Sequence, residues 1–224
     1  MSYAELFESI LEPEIEDADE ETFWLYSQPH PSSDLGFVDP RAASVEVRVG
    51  GTDFTVHQSP GVLSSDRAGG TTGAVLWKIS PVFADWLAAP TNFLFSRSLL
   101  GADSAVLELG CGVSPLNALA LAPRVASHTL TDQAYVRRLI RRNIDDGVAS
   151  LARKSSKHRP AGRISFETLD WETDATPPAP GGFDAVLAVD CVYNAALVPP
   201  LVQTCADACR RRGAKRVHSG AAAA

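Results

Sequence analysis

Ten consecutive residues constrain this 224-residue chain most: Val106-Leu107-Glu108-Leu109-Gly110-Cys111-Gly112-Val113-Ser114-Pro115. An apolar run carrying one acid and ending in Gly-x-Gly reads as a buried parallel strand that enters a tight turn. Glycine has no Cβ, so the main chain there can approach a ligand closely and adopt positive φ. Ser114 can cap a following helix, and Pro115 suits its first position, where no N–H is needed. This strand–turn–helix order cradles a nucleotide-like ligand and, by itself, leaves the ligand open.

Strand–helix alternation surrounds that run. Ala105 to Leu109 is expected to be a buried strand, followed by a helix over Leu116 to Leu121. Ser127 to Thr131 reads as a second strand ending at Asp132. A helix from Ala134 to Ile144 follows, with Val136, Leu139 and Ile140 inward and Arg137, Arg138, Arg141 and Arg142 outward. Beyond a basic loop (Arg153, Lys154, Lys157, His158, Arg159), Ile164 to Leu169 and Phe183 to Asp190 read as third and fourth strands. Pro199 and Pro200 then open a helix to about Arg210. Repeated βα units imply a doubly wound α/β sheet with helices on both faces and a ligand at the C-terminal strand ends. Before this region, Ser44 to Val49 alternates apolar and polar residues, and Gly50-Gly51 leads into Phe54 to His57. That pattern predicts a β-hairpin outside the main sheet. Ser80-Pro81 predicts a helix burying Val82, Phe83, Trp86 and Leu87 and ended by Pro90.

Charge divides the chain into unequal parts. Residues 1–22 hold nine carboxylates and no Lys or Arg, whereas the remainder is near neutral, with 18 acidic and 20 basic residues. The expected organisation is an acidic segment at 1–22, an N-terminal extension at 23–98, a cofactor-binding domain at 99–209 and a basic, low-complexity tail at 210–224. The acidic segment is read as solvated, with docking of a basic partner as the alternative. The tail carries no apolar alternation and is not expected to form a strand. Direct nucleic-acid binding is not expected. No stretch has the length and apolarity of a membrane span, and the N-terminus is unlike a signal peptide. Cys111, Cys191, Cys205 and Cys209 form no Cys-x-x-Cys pair, so the reading is a reducing compartment and no metal site.

Two cofactor classes use this turn. A dinucleotide site wants a third glycine where Pro115 stands, together with an acid about 20 residues on, which Asp132 supplies. S-adenosylmethionine has no pyrophosphate and needs only the acid, for its ribose hydroxyls. The methyl donor is therefore favoured and the dinucleotide oxidoreductase is the weaker reading.

Five segments together resemble the seven-β-strand protein-lysine methyltransferases (methyltransferase family 16). They are Thr71-Thr72-Gly73-Ala74-Val75-Leu76-Trp77, the Leu107 to Gly112 turn, Thr131-Asp132, Leu169-Asp170-Trp171 and Asp190-Cys191-Val192-Tyr193-Asn194. Ser114-Pro115-Leu116-Asn117 resembles the fungal branch that modifies a large-subunit ribosomal protein. The resemblance implies a Rossmann-like class I methyltransferase fold and S-adenosyl-L-methionine as cofactor. Trp77, Glu108, Gly110, Cys111, Gly112, Asp132, Trp171 and Val189 would bind that cofactor, with Asp190 and Tyr193 at the substrate lysine. It further implies a monomer that acts in the cytoplasm, or in the nucleus, on a ribosomal or translation-related protein. A seven-stranded sheet is implied too, yet only four strands are legible before residue 210. The C-terminal strands are therefore expected to be truncated, and a catalytically inactive, methyltransferase-like binding module is the alternative.

Overall fold

The computed structural model describes residues 8, 15–28, 36–67, 70–154 and 162–219, with backbone alone for 154 and 211–219. Most of the acidic segment, Lys157, His158 and Arg159 of the basic loop, and residues 220–224 lie outside the described residues. The chain forms two compact units, Met1–Leu35 and Gly36–Ala224. In the first, helix α1 spans Ala18–Ser27. The Asp17 carboxylate accepts the Asp19 and Glu20 amides, and three acids in the first turn complement the positive end of the helix dipole.

The second unit begins with the expected hairpin. Strands β1 (Ser44–Val49) and β2 (Thr52–His57) pair antiparallel and form a sheet of their own. Gly50 and Gly51 turn it with φ of 56° and 72°, values that side-chain-bearing residues rarely adopt and that match the strands' twist. Helix α2 (Pro60–Leu63), a 3-10 turn at Thr72–Ala74, and helices α3 (Ile79–Ala88) and α4 (Phe93–Ser96) follow. The α3 expectation is corrected. Its inward residues are Ala84 and Leu87, while Val82 and Trp86 are 64% and 41% exposed. Ser80 makes no cap, because the helix already starts at Ile79. The apolar residues of α3 lie on nearly all sides, so periodicity could not pick a face, and small Ala84 gave no signal.

The main sheet holds four parallel strands in the order β5-β4-β3-β6. These are β3 (Ala105–Leu109), β4 (Ser127–Asp132), β5 (Arg163–Thr168) and β6 (Ala185–Ala188). Helix α5 (Leu116–Leu121) crosses from β3 to β4, and α6 (Arg137–Lys154) from β4 to β5. Helix α7 (Val198–Ser219) follows β6. Alternation along β3 divides the core. Leu107 and Leu109 pack with Leu201 and Ala208 of α7, and Val106 packs with Leu87 of α3 and Leu121 of α5. Helices thus cover both faces, and the mixed α/β, Rossmann-like architecture is as expected.

Two helices are longer than their sequence suggested. α6 continues past Ile144 to Lys154, because Gly147 is a contact point and not a stop. A Cβ there would overlap the buried Leu119 side chain, so glycine lets α6 lie close to α5. α7 continues past Arg210 to Ser219, which corrects the tail reading for that stretch. Arg, Lys and Ala there are good helix formers, and period-two alternation is the wrong test for them.

Candidate active site

From β3 the chain steps outward to β4 and β5, then returns to place β6 on the other side of β3. Connections therefore diverge at the C-terminal ends of β3 and β6, the switch point where open α/β sheets leave a crevice. A cavity of about 600 Å³ opens there. Trp77, Gly110, Cys111, Gly112, Asp132, Trp171, Val189, Asp190 and Tyr193 all line it, so the structure brings these sequence candidates together.

The turn after β3 forms its floor. Gly110 and Gly112 have φ of 69° and 57°. A Cβ on Gly110 would sit 2.9 Å from Cys191 Sγ and 3.3 Å from the Trp171 ring, and one on Gly112 would lie 3.0 Å from the Gly73 carbonyl oxygen. Glycine is thus required twice, for the backbone angle and for the space. The Cys111 amide donates to the Thr131 carbonyl at 3.1 Å, tying the turn to β4. Buried Asn143 of α6 bonds the His57 amide and carbonyl and donates to the Val113 carbonyl at 2.7 Å, joining hairpin, helix and turn.

Asp132 stands at the end of β4. Its carboxylate accepts the Gly112 amide at 2.8 Å and the Gln133 amide at 2.7 Å. Burial outweighs those two bonds and pushes its pKa up to about 6, with Glu108 adding to the rise. Glu108 is itself placed differently from expectation. Strand alternation turns it to the face opposite Leu107 and Leu109. There it is 3% exposed, accepts from Asn117 Nδ2 at 2.8 Å and pairs with His128 Nε2 at 3.0 Å, and it does not line the cavity.

Opposite the floor runs a strap, residues 71–77. The Gly73 carbonyl accepts the Val113 amide at 2.9 Å, and the Gly73 amide donates to the Tyr135 hydroxyl at 3.0 Å. Thr72 Oγ1 meets the Tyr193 hydroxyl at 3.1 Å, and Trp77 Nε1 donates to the Thr72 carbonyl at 3.0 Å. Behind it, the Leu76 amide donates to Gln58 Oε1 at 3.0 Å, and the Ser59 amide to the Ala74 carbonyl at 2.8 Å. Trp77 also meets Phe37 edge-on at 4.4 Å.

At the mouth, Asp190 has φ of 58°, a left-handed conformation that Asp tolerates better than most residues. Asp190 and Tyr193 are exposed there, whereas Cys191 is buried and donates through Sγ to the Leu109 carbonyl at 3.2 Å. Burial pushes the Cys191 thiol up to about 12 and raises Cys111 as well, so both are packing groups with little thiolate. Sequence reasoning missed Tyr135, Asn143 and the site role of Thr72 and Gly73. Tyr135 reaches a residue 62 positions away, and Asn143 one 86 away, separations that leave no local signal. Among the described residues, no helix is long and apolar enough to cross a membrane, and no group of His, Cys, Asp or Glu could hold a metal ion.

Known proteins resemble this chain in sequence to different extents. A protein of Schizosaccharomyces pombe named diaminohydroxyphosphoribosylamino-pyrimidine deaminase is 30% identical over 200 residues, covering 88% of this chain and 45% of that protein. Ribosomal lysine N-methyltransferase 5 of Zygosaccharomyces rouxii is 29% identical, covering 68% of this chain and 59% of its own. The Eremothecium gossypii protein of the same name is 32% identical, over 66% and 60%. The chain thus spans about half the length of these curated relatives, 45% to 60%. Among solved structures, a Pyrococcus abyssi tRNA (uracil-54, C5)-methyltransferase aligns over 65% of this chain and 27% of that one. Its TM-score is 0.34 at 14% identity, too weak a likeness to bear on the assignment. The family model for lysine methyltransferases matches residues 58–217, which include the strap, the glycine turn, Asp132 and the Asp190 to Tyr193 mouth. This chain belongs to the lysine methyltransferase family.

Proposed function

We propose that this chain binds S-adenosyl-L-methionine and serves protein-lysine N-methylation, with a ribosomal or other translation-related protein as substrate. The observation that supports this most is the convergence of the glycine turn, Asp132, both tryptophans and Asp190 with Tyr193 on one cavity at the switch point. The cavity suits the cofactor because Gly110 and Gly112 line its floor without side chains, so only main chain faces the ligand there. Asp132, which accepts the Gly112 amide at 2.8 Å, stands beside that turn as an acceptor for ribose hydroxyls. Trp77 and Trp171 would flank the ligand, and Val189 would meet it through main chain.

When bound, the cofactor supplies a methyl group on a sulfonium centre. The chain's own residues then have three tasks. The site must bring a neutral lysine nitrogen to the mouth and hold its lone pair in line, and such positioning is a large part of barrier reduction. Asp190 supplies a carboxylate beside the nitrogen as positive charge develops on it. Tyr193, held by Thr72, borders the channel through which the lysine enters. No general base is needed in this scheme, since water can take the ammonium proton before transfer.

The deaminase name of the S. pombe relative does not transfer to this chain. Zinc deaminases use His-x-Glu and Pro-Cys-x-x-Cys, and this sequence contains neither. Calorimetric titration tests the cofactor: adenosylhomocysteine should bind and NAD should not. Label transfer from tritiated methyl donor to unmethylated ribosomal proteins tests the substrate. Binding without transfer to any of them would favour the inactive binding module.

A further inference from the structure

The strap lies between two tyrosines that reach it from opposite sides of β3. Tyr135 follows β4 and Tyr193 follows β6, and their hydroxyls engage adjacent residues, Gly73 and Thr72. The strap backbone is seated closely: a Cβ on Gly73 would lie 2.8 Å from the Tyr135 oxygen, 3.1 Å from Gly112 Cα and 3.6 Å from Asp132 Oδ2. Tyr135 is in turn fixed by Arg67, whose guanidinium lies 4.8 Å over its ring. Thr72, Gly73, Val75 and Trp77 line the cavity, so wherever the strap sits sets the cavity's width.

We propose that the two tyrosines latch this strap across the cavity, and that Tyr135 is a positioning residue for the cofactor whereas Thr72 positions Tyr193 on the substrate side. The division follows from the geometry. Tyr135 holds the amide of Gly73, whose carbonyl is bonded to the glycine turn beside Asp132. Thr72 holds the tyrosine at the mouth. Burial and the neighbouring Asp132 raise the Tyr135 pKa, which keeps its hydroxyl protonated. The ligand half of the proposal rests on the reading that the cavity takes S-adenosylmethionine.

The test uses the full chain and two readouts. Tyr135→Phe should speed exchange of the Gly73 amide at least tenfold in the free protein and raise the Kd for adenosylhomocysteine about tenfold. Thr72→Val should leave that Kd within twofold. Gly73→Ala reaches the same end by another route, since its methyl group pushes against the Tyr135 oxygen, and it should weaken adenosylhomocysteine as Tyr135→Phe does. Melting curves identify any variant that fails to fold, and the other variant then decides. Unchanged Gly73 exchange in Tyr135→Phe overturns the latch. Unchanged affinity in Tyr135→Phe, or equal loss in Thr72→Val, overturns the division of roles. If the unaltered chain binds no adenosylhomocysteine, the cofactor reading and the ligand half fail together, while Gly73 exchange still decides the latch.

Discussion

Asp132 should give cofactor binding an unusual dependence on pH. Burial raises its pKa to about 6, so the acceptor needed for two ribose hydroxyls titrates within the ordinary working range. With that pKa, the ionised fraction falls from about 97% at pH 7.5 to about 9% at pH 5.0, so affinity should drop about tenfold. An exposed aspartate with a pKa near 3.9 would remain about 93% ionised at pH 5.0, and binding would stay nearly flat. Calorimetric titration with adenosylhomocysteine between these limits separates the two cases, because that ligand has no group titrating in the window. Asp132→Asn should bind weakly and show no such slope. Stability should move the opposite way. A carboxyl whose pKa is higher in the folded than in the unfolded state binds its proton more tightly when folded, so the free chain gains stability as pH falls from about 6 towards 4. Affinity that is level to pH 5.0 in the unaltered chain would refute the combination of a raised pKa with a ribose contact, and unchanged affinity in Asp132→Asn would remove the ribose assignment by itself.

Three further outcomes can be checked. Gly147→Ala should lower unfolding free energy by about 1–3 kcal/mol in urea melts, because its methyl group meets Leu119 in a packed interface. Iodoacetamide at neutral pH should label exposed Cys209 well before Cys111 or Cys191, whose burial suppresses both access and thiolate, and peptide mass mapping reads the order. Asp190→Asn should leave adenosylhomocysteine affinity within twofold while removing label transfer to ribosomal proteins; equal loss of both would move Asp190 from the substrate side to the cofactor side.

What could be read from sequence, and what could not, divides by the range of the interactions involved. Residues 105–109 announce a buried strand because four of their five side chains are apolar and the turn behind them needs glycine. The hairpin, likewise, is fixed by alternation and by Gly50-Gly51 between neighbouring residues. Where apolar residues surround a helix, as in α3, the pattern contains no face, and only the packed structure distinguishes Ala84 from Trp86. Glu108 was misread for a related reason. An acid beside a glycine turn looks like a ligand-binding group, but one step of strand alternation sends it to Asn117 and His128.

The strap shows why the N-terminal extension belongs to the site and is not an accessory to it. The sheet offers only strand ends and a turn, which by themselves make one wall of a crevice. The second wall is the strap, and almost every bond that holds it comes from elsewhere in the chain: Gln58 and Ser59 after the hairpin, Val113 after the turn, Tyr135 and Tyr193 after two different strands. Asn143 reinforces this by bonding His57 and Val113 at once, so the hairpin and the glycine turn share one anchor. A chain lacking the hairpin would lose Val45, Val49, Phe54 and Val56 from the core they share with Leu119, Leu130 and Ile140, and with them the register of residues 71–77 against Gly110–Gly112. The expected consequence is a less stable sheet and a cavity that no longer has a fixed width. The hairpin's contribution to function is accordingly geometric: it sets where Gly73 lies, although no residue of β1 or β2 lines the cavity.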